Sequence, residues 1–258
     1  MRWRSLLLSF SLGLLGANSF AQSTNPSAAP AADSDRSVSW KELPHNILED
    51  QKTIWLFPVS VAHGKHILPT LGIIGVTSAF IATDPHSAPP FRTTNTFHDF
   101  NQVLSTNNSG ALIAAVPAGI YAIGLLRKDS YAQRSALLAA EAFADSFLLD
   151  LPMKAIAARR QPLAYSGNGP YTDSFFNGSH NPFGEGGFFS GHAAGSMAVA
   201  AVFAHRYRHH KWVPFVAYGL AGAISFSRVT TSAHFPADAV VGSTIGFIIA
   251  RYVVMPAR

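Results

Sequence analysis

Ser227-Arg228-Val229-Thr230-Thr231-Ser232-Ala233-His234-Phe235-Pro236-Ala237-Asp238 lies between two apolar runs, residues 212–226 and 236–254. Proline suits the first turn of a helix, so Pro236 opens the second run. That puts His234 just ahead of the helix and Asp238 in its first turn. An aspartate there can hold the proton-bearing nitrogen of His234 and set its tautomer. The other nitrogen is then left as a base or a nucleophile. Arg228 ends the preceding run and can reach the same point. Taken alone, the stretch also fits a capped helix with a surface histidine. The rest of the chain decides between these readings.

Four more apolar runs precede it: 67–83, 111–126, 135–158 and 191–207. Thr83-Asp84-Pro85 is read as the stop of the first, and Arg127-Lys128 closes the second. Glu141, Asp145 and Asp150 interrupt the third, with Glu141 and Asp145 on one helix face. No stretch alternates as a strand does, and glycine and proline mark most joints. The predicted class is all-α: a compact bundle of about six core helices with the active site at one end.

Composition agrees. Charged residues make up 13% of the 258-residue chain, against roughly 25% in an average soluble domain. Hydrophobic residues are 48% and mean hydropathy is +0.18. A disordered or collagen-like chain is excluded. Cysteine is absent, which excludes disulfides, thiolate catalysis and cysteine-ligated metal. The net charge of +5 suits an anionic partner. The basic residues are dispersed and form no nucleic-acid-binding stripe. His205, His209 and His210 flank Arg206, Arg208 and Lys211 and read as a basic loop rather than a metal site.

The N-terminus reads as an export address. Arg2 and Arg4 precede the apolar run 6–16, and Ser19-Phe20-Ala21 offers small residues for cleavage after Ala21. The expected organisation is a signal peptide over 1–21, a flexible segment over 22–53 and a helical domain over 54–258. The chain is thus expected in the bacterial cell envelope, facing the periplasm, integral to or associated with the membrane. The runs are near the lower length for crossing a bilayer. Arg127, Lys128 and Arg134 share one end of an up-down bundle with Arg206, Arg208 and Lys211, the cytoplasmic end by the positive-inside rule. A cleaved signal followed by six full spans gives the opposite orientation. Either the signal is retained or the bundle is not fully inserted.

Two further clusters lie near the first. Lys154, Arg159 and Arg160, at the end of the third run, are able to grip a phosphate. Such cations are also common at helix C-termini. Ser190-Gly191-His192 opens the fourth run, where free backbone N–H groups favour an anion. Gly191 lets a ligand approach the backbone closely. Ser190 can also be a plain cap. A long loop rich in Gly, Asn and Phe, 165–189, joins these two clusters. Its Phe175, Phe176, Phe183, Phe188 and Phe189 either form an apolar mouth or pin the loop. In an up-down bundle the joints between helices three and four and between five and six meet at one end. Lys154, Arg159, Arg160, Ser190, Gly191, His192, Arg228, His234 and Asp238 then converge on an anion cradle, a nucleophile and an acid, a set that needs no metal.

This ordered set resembles the superfamily of type 2 phosphatidic acid phosphatases, bacterial nonspecific acid phosphatases and vanadium haloperoxidases. The family pattern is Lys, six residues, Arg-Pro; then Pro-Ser-Gly-His; then Ser-Arg, five residues, His, three residues, Asp. Ser227, Arg228, His234 and Asp238 match the third element fully. Ser190, Gly191 and His192 match the second, with Phe189 in the place of its proline. Lys154 and Pro162 match the first, with Gln161 in the place of its arginine. The resemblance implies that His234 attacks phosphorus and becomes a phosphohistidine, that Asp238 orients it, and that His192 protonates the leaving group and then helps activate water. It implies that Lys154, Arg228, Ser190 and the Gly191 amide hold the phosphoryl oxygens. Arg159 or Arg160 is expected to supply the charge missing at Gln161.

The function implied is a phosphatase that hydrolyses a phosphomonoester or diphosphate, with a lipid favoured by the apolar helices. No metal or other cofactor is expected. The alternatives are a soluble periplasmic acid phosphatase of broad specificity and a vanadate-dependent haloperoxidase, in which vanadate would sit on His234.

Overall fold

The computed structural model describes residues 36–167, 169–184 and 187–256, and every regular element among them is helical. The helices are α1 (Leu43–Ala62), α2 (Ile67–Ser87), α3 (Pro89–Thr93), α4 (His98–Val103), α5 (Thr106–Leu126), α6 (Ser130–Ala157), α7 (Gly191–Arg206), α8 (Trp212–Thr230) and α9 (Pro236–Ile248). A π-helical turn, Ile249–Val254, continues α9. All six apolar runs form helices. The signal peptide expected over 1–21 lies outside the described residues.

Side chains fix several starts. Asp129 accepts the amides of Tyr131 and Ala132 ahead of α6, and Ser105 accepts that of Asn108 at the start of α5. Such caps satisfy donors that have no partner within the helix. α7 is the central helix and packs on α5, α6, α8 and α9. Its buried face is mostly alanine, glycine and serine, so neighbouring backbones come close. The closest approach is to α9. A Cβ on Gly246 would stand 2.0 Å from the Ala194 carbonyl oxygen, and one on Gly242 would stand 2.5 Å from that of Ser190. Glycine is the residue that allows this contact. The core away from the site includes Leu137, Leu138, Val202, Phe203, Ile224 and Ile249.

Three expectations need correction. The segment over 22–53 is not flexible to its end, because α1 begins at Leu43. Val38 enters the core, and Arg36 pairs with Asp50 and Glu141, each at 2.6 Å. Thr83-Asp84-Pro85 does not stop α2, which continues to Ser87. Asp84 is buried there and bound to Arg159 and the Ala237 amide. Arg206 is no loop charge. It is buried, donates to Ser135 Oγ at 2.6 Å and lies over the Tyr131 ring.

Three stretches among the described residues are long and apolar enough to cross a membrane: Ile67–Thr93, Thr106–Leu126 and Pro236–Val254. The first is scarcely buried within the protein and the last is half-buried. Large apolar side chains on α2 and α8, among them Leu68, Leu71, Ile74, Phe215 and Leu220, are exposed. Apolar faces exposed along a helix are of the kind that meets a membrane or a partner.

Candidate active site

Four helix ends meet at one end of the bundle: the start of α5, the start of α7, the end of α8 and the start of α9. The Ser190 amide donates to the Asp238 carbonyl at 3.1 Å and ties α7 to α9. Arg228, only 1% exposed, ties α8 to α5. Its guanidinium donates to Thr106 Oγ1 at 3.0 Å and also to the Leu104 carbonyl.

His234 is buried just ahead of α9. Its Nδ1 lies 3.6 Å from Asp238 Oδ2 and makes no hydrogen bond among the described residues. Catalytic contacts are often long before substrate binds. The same carboxylate oxygen accepts the Phe235 amide at 2.9 Å, so Asp238 caps its own helix while facing His234.

Behind Asp238 lies Arg159. Its guanidinium donates to Asp238 Oδ1 at 2.5 Å and to Asp84 Oδ2 at 2.6 Å, and its Nε donates to Ser174 Oγ. The rings of Phe175 and Phe235 lie 4.5 and 4.2 Å from it. Arg159 is thus fully engaged behind the histidine, positioning Asp238 rather than facing the cradle. Arg160 donates to the Ala164 carbonyl and lies over Tyr165. Neither arginine points to a replacement for the one missing at Gln161.

Lys154 lies in the last turn of α6, and its Nζ is 3.2 Å from Asp150 Oδ2. What approaches Gly191 in this structure is Asp150: a Cβ there would stand 2.4 Å from Oδ2. Ser190 is fully buried and its hydroxyl accepts the Ala193 amide as the cap of α7. His192 has its Nε2 3.1 Å from the Thr106 carbonyl. Burial, followed by the nearby Arg228 cation, lowers its pKa to about 4. The neutral ring therefore donates through Nε2 and leaves Nδ1 bare. An arriving anion reverses part of this shift.

The loop between α6 and α7 is laced to the end of α6. The amides of Phe176, Gly178 and Gly187 donate to the carbonyls of Ala157, Ala158 and Arg159. Gly187, at φ +92°, runs against the Lys154 stem, where a Cβ would meet Cγ at 2.6 Å. Phe189 is buried and Phe175 packs edge-on to Phe188, whereas Phe176 and Phe183 are exposed. The buried Phe189 and the packed Phe175 and Phe188 thus pin the loop to the bundle.

Lys154, Ser190, Gly191, His192, Arg228, His234 and Asp238 share one neighbourhood. Sequence reasoning missed Asp84, Thr106 and Asp150. A lone carboxylate at the end of an apolar run requires a partner, and that signal was available for Asp84. Among the described residues no group of three His, Asp or Glu side chains is arranged to hold a metal ion.

Residues 135–256 match the family model described as the PAP2 superfamily. The match spans α6 to α9 and covers all three motifs. It implies phosphatase-type activity. No curated protein and no solved structure matches the chain.

Proposed function

We propose that this chain, which belongs to the PAP2 superfamily through residues 135–256, is a phosphatase that cleaves a lipid phosphate or diphosphate through a phosphohistidine. His234 attacks phosphorus through Nε2, and the P–O bond to the leaving group breaks. Asp238 stabilises the imidazolium that forms. His192, recharged as phosphate raises its pKa, gives its proton to the leaving oxygen. It then accepts one from the water that cleaves the P–N bond. Lys154, Arg228 and the Gly191 amide hold the phosphoryl oxygens. Donors aimed at developing charge contribute strongly to catalysis of this kind. No step requires a metal.

One observation carries the lipid reading. α5 and α8 both pack on α7 and scarcely on each other. They leave an apolar groove lined by Ile113 and Val116 of α5, Ser196 and Val199 of α7, and Ala221 and Ile224 of α8. Ser196 lies one turn from His192, and Ile224 lies one turn from Arg228. The groove therefore starts directly below the phosphate cradle, where the tail of a lipid leaving group would run. It continues along α7 to Phe203, about 16 Å from His192 at 1.5 Å per residue.

The test is phosphate release by the full chain in detergent with EDTA, from phosphatidate, undecaprenyl diphosphate and p-nitrophenyl phosphate. Activity on the lipids that survives EDTA and vanishes in His234→Ala is expected. Release from none of the three would overturn the phosphatase. Turnover of the aryl phosphate alone would overturn the lipid reading.

A further inference from the structure

Asp150 is the one carboxylate in the cradle to which the mechanism above gives no task. It lies one helical turn before Lys154 and is 1% exposed. Its Oδ2 meets Lys154 Nζ at 3.2 Å and lies against Gly191, the first residue of α7. Its Oδ1 is buried and has no hydrogen-bond partner among the described residues. A buried oxygen without a partner is costly, and this one lies where phosphate is to be held.

The balance of charge in the cradle bears on its state. Arg159 is taken by Asp84 and Asp238, and residue 161 is glutamine. The mechanism above then gives the phosphoryl oxygens two side-chain cations, Lys154 and Arg228. An ionised Asp150 would cancel one of them and repel the phosphoryl oxygens at close range. A neutral carboxylic acid would instead present a hydroxyl donor. Lys154 is on the same helix as Asp150 and His234 stands ahead of α9, and both favour the ionised form. From α7 it meets the N-terminal Gly191, with His192 following, and Arg228 lies beyond from α8. Burial acts in the other direction and is the larger effect, leaving the pKa raised.

We propose that Asp150 is a phosphate-binding acid: it enters the complex protonated, donates its hydroxyl hydrogen to a phosphoryl oxygen, and so takes over the contact that an arginine at position 161 would make. No covalent bond changes. Binding instead takes up one proton whenever the free enzyme carries Asp150 ionised. The site thus accepts phosphate best on the acidic side of neutrality, and it releases phosphate as Asp150 ionises. This inference rests on the phosphatase reading of the same site.

The probe is inorganic phosphate, titrated calorimetrically into the full chain at pH 5.5 and pH 8 in buffers of different ionisation enthalpy. Parent, Asp150→Asn and Asp150→Ala are compared, with helicity as the folding control. The parent should lose affinity from pH 5.5 to 8 and show proton uptake beyond that of phosphate itself. Asp150→Asn keeps a donor and cannot ionise. It should bind more weakly than the parent at pH 5.5, more tightly at pH 8, and with less proton uptake than the parent, the proton taken up by His192 being common to both. Asp150→Ala should bind roughly tenfold or more weaker at pH 5.5, the effect of losing one hydrogen bond to a charged group. The same pH profile and proton uptake in Asp150→Asn and parent would overturn the proposal, leaving Asp150 a counter-ion of Lys154 while the phosphatase stands. Tighter binding by Asp150→Ala at pH 5.5 would also overturn it. A parent that neither binds phosphate nor hydrolyses any ester would remove the phosphatase reading and the inference together.

Discussion

Asp238 receives two hydrogen bonds that have nothing to do with substrate, one from the Phe235 amide and one from Arg159. Together they fix the carboxylate that faces His234. Arg159 itself is held between two buried carboxylates, and removing one member of a buried ion pair typically costs about 3–5 kcal/mol. Arg159→Ala should therefore lower stability by about that amount in denaturant titration and abolish turnover. Unchanged stability would show that the carboxylates find other partners. His192 has a different signature. General acid catalysis contributes roughly 10²–10⁴-fold, and a good leaving group needs it least. His192→Ala should reduce turnover of an alkyl phosphate far more than that of p-nitrophenyl phosphate, and equal losses would remove the acid role. The histidines, Lys154 and Asp238 were legible in the sequence because their spacing is local to helix ends. Asp84 gave only the signal that it needs a partner: that partner, Arg159, is 75 positions away, and beside Pro85 the carboxylate looked like a helix stop.

At the level of elements, the crossing of α7 and α9 sets the position of His234. Gly246→Ala places a methyl 2.0 Å from the Ala194 carbonyl oxygen, so α9 must shift. Overpacking costs typically about 1–3 kcal/mol, and here the displaced helix carries Asp238, so activity should fall with stability. Gly222→Ala on α8 makes the same chemical change where no atom lies within 4 Å. There the better helix former should be neutral or stabilise by up to about 1 kcal/mol. Thermal melts and turnover of the two variants check the contrast, and equal effects would contradict the close crossing. The six apolar helices were legible from hydrophobicity alone. α1 was not, because Pro44, Glu49, Asp50 and Lys52 give it the look of a tether. Its acids become understandable only against α6, where Asp50 and Glu141 share Arg36 and Gln51 donates to Asp145.

For the whole molecule, that α1–α6 contact is a store of buried carboxylates. Burial, opposed by the Gln51 hydrogen bond and reinforced by Asp50 and Glu141, raises the Asp145 pKa. An ordinary aspartate titrates near about 4. Between that value and the raised one the folded protein holds the proton and the unfolded chain has lost it. Stability from this group is therefore present at low pH and declines as pH rises through the window. The drop in melting temperature from pH 5 to pH 8 should shrink in Asp145→Asn, and an unchanged drop would show that Asp145 is ionised throughout. The exposed apolar faces of α2 and α8, with three stretches long and apolar enough to cross a membrane, point to membrane association.

The phosphohistidine on His234 is the claim from which the other roles follow. It is tested by mixing the full chain with a labelled phosphate ester in EDTA, quenching in alkali within one turnover, and locating the phosphoryl group by peptide mass spectrometry. The label should sit on the peptide containing His234 at its imidazole and be absent from His234→Ala, which should not turn over. Turnover with the label on another residue, or turnover that persists in His234→Ala, would contradict it.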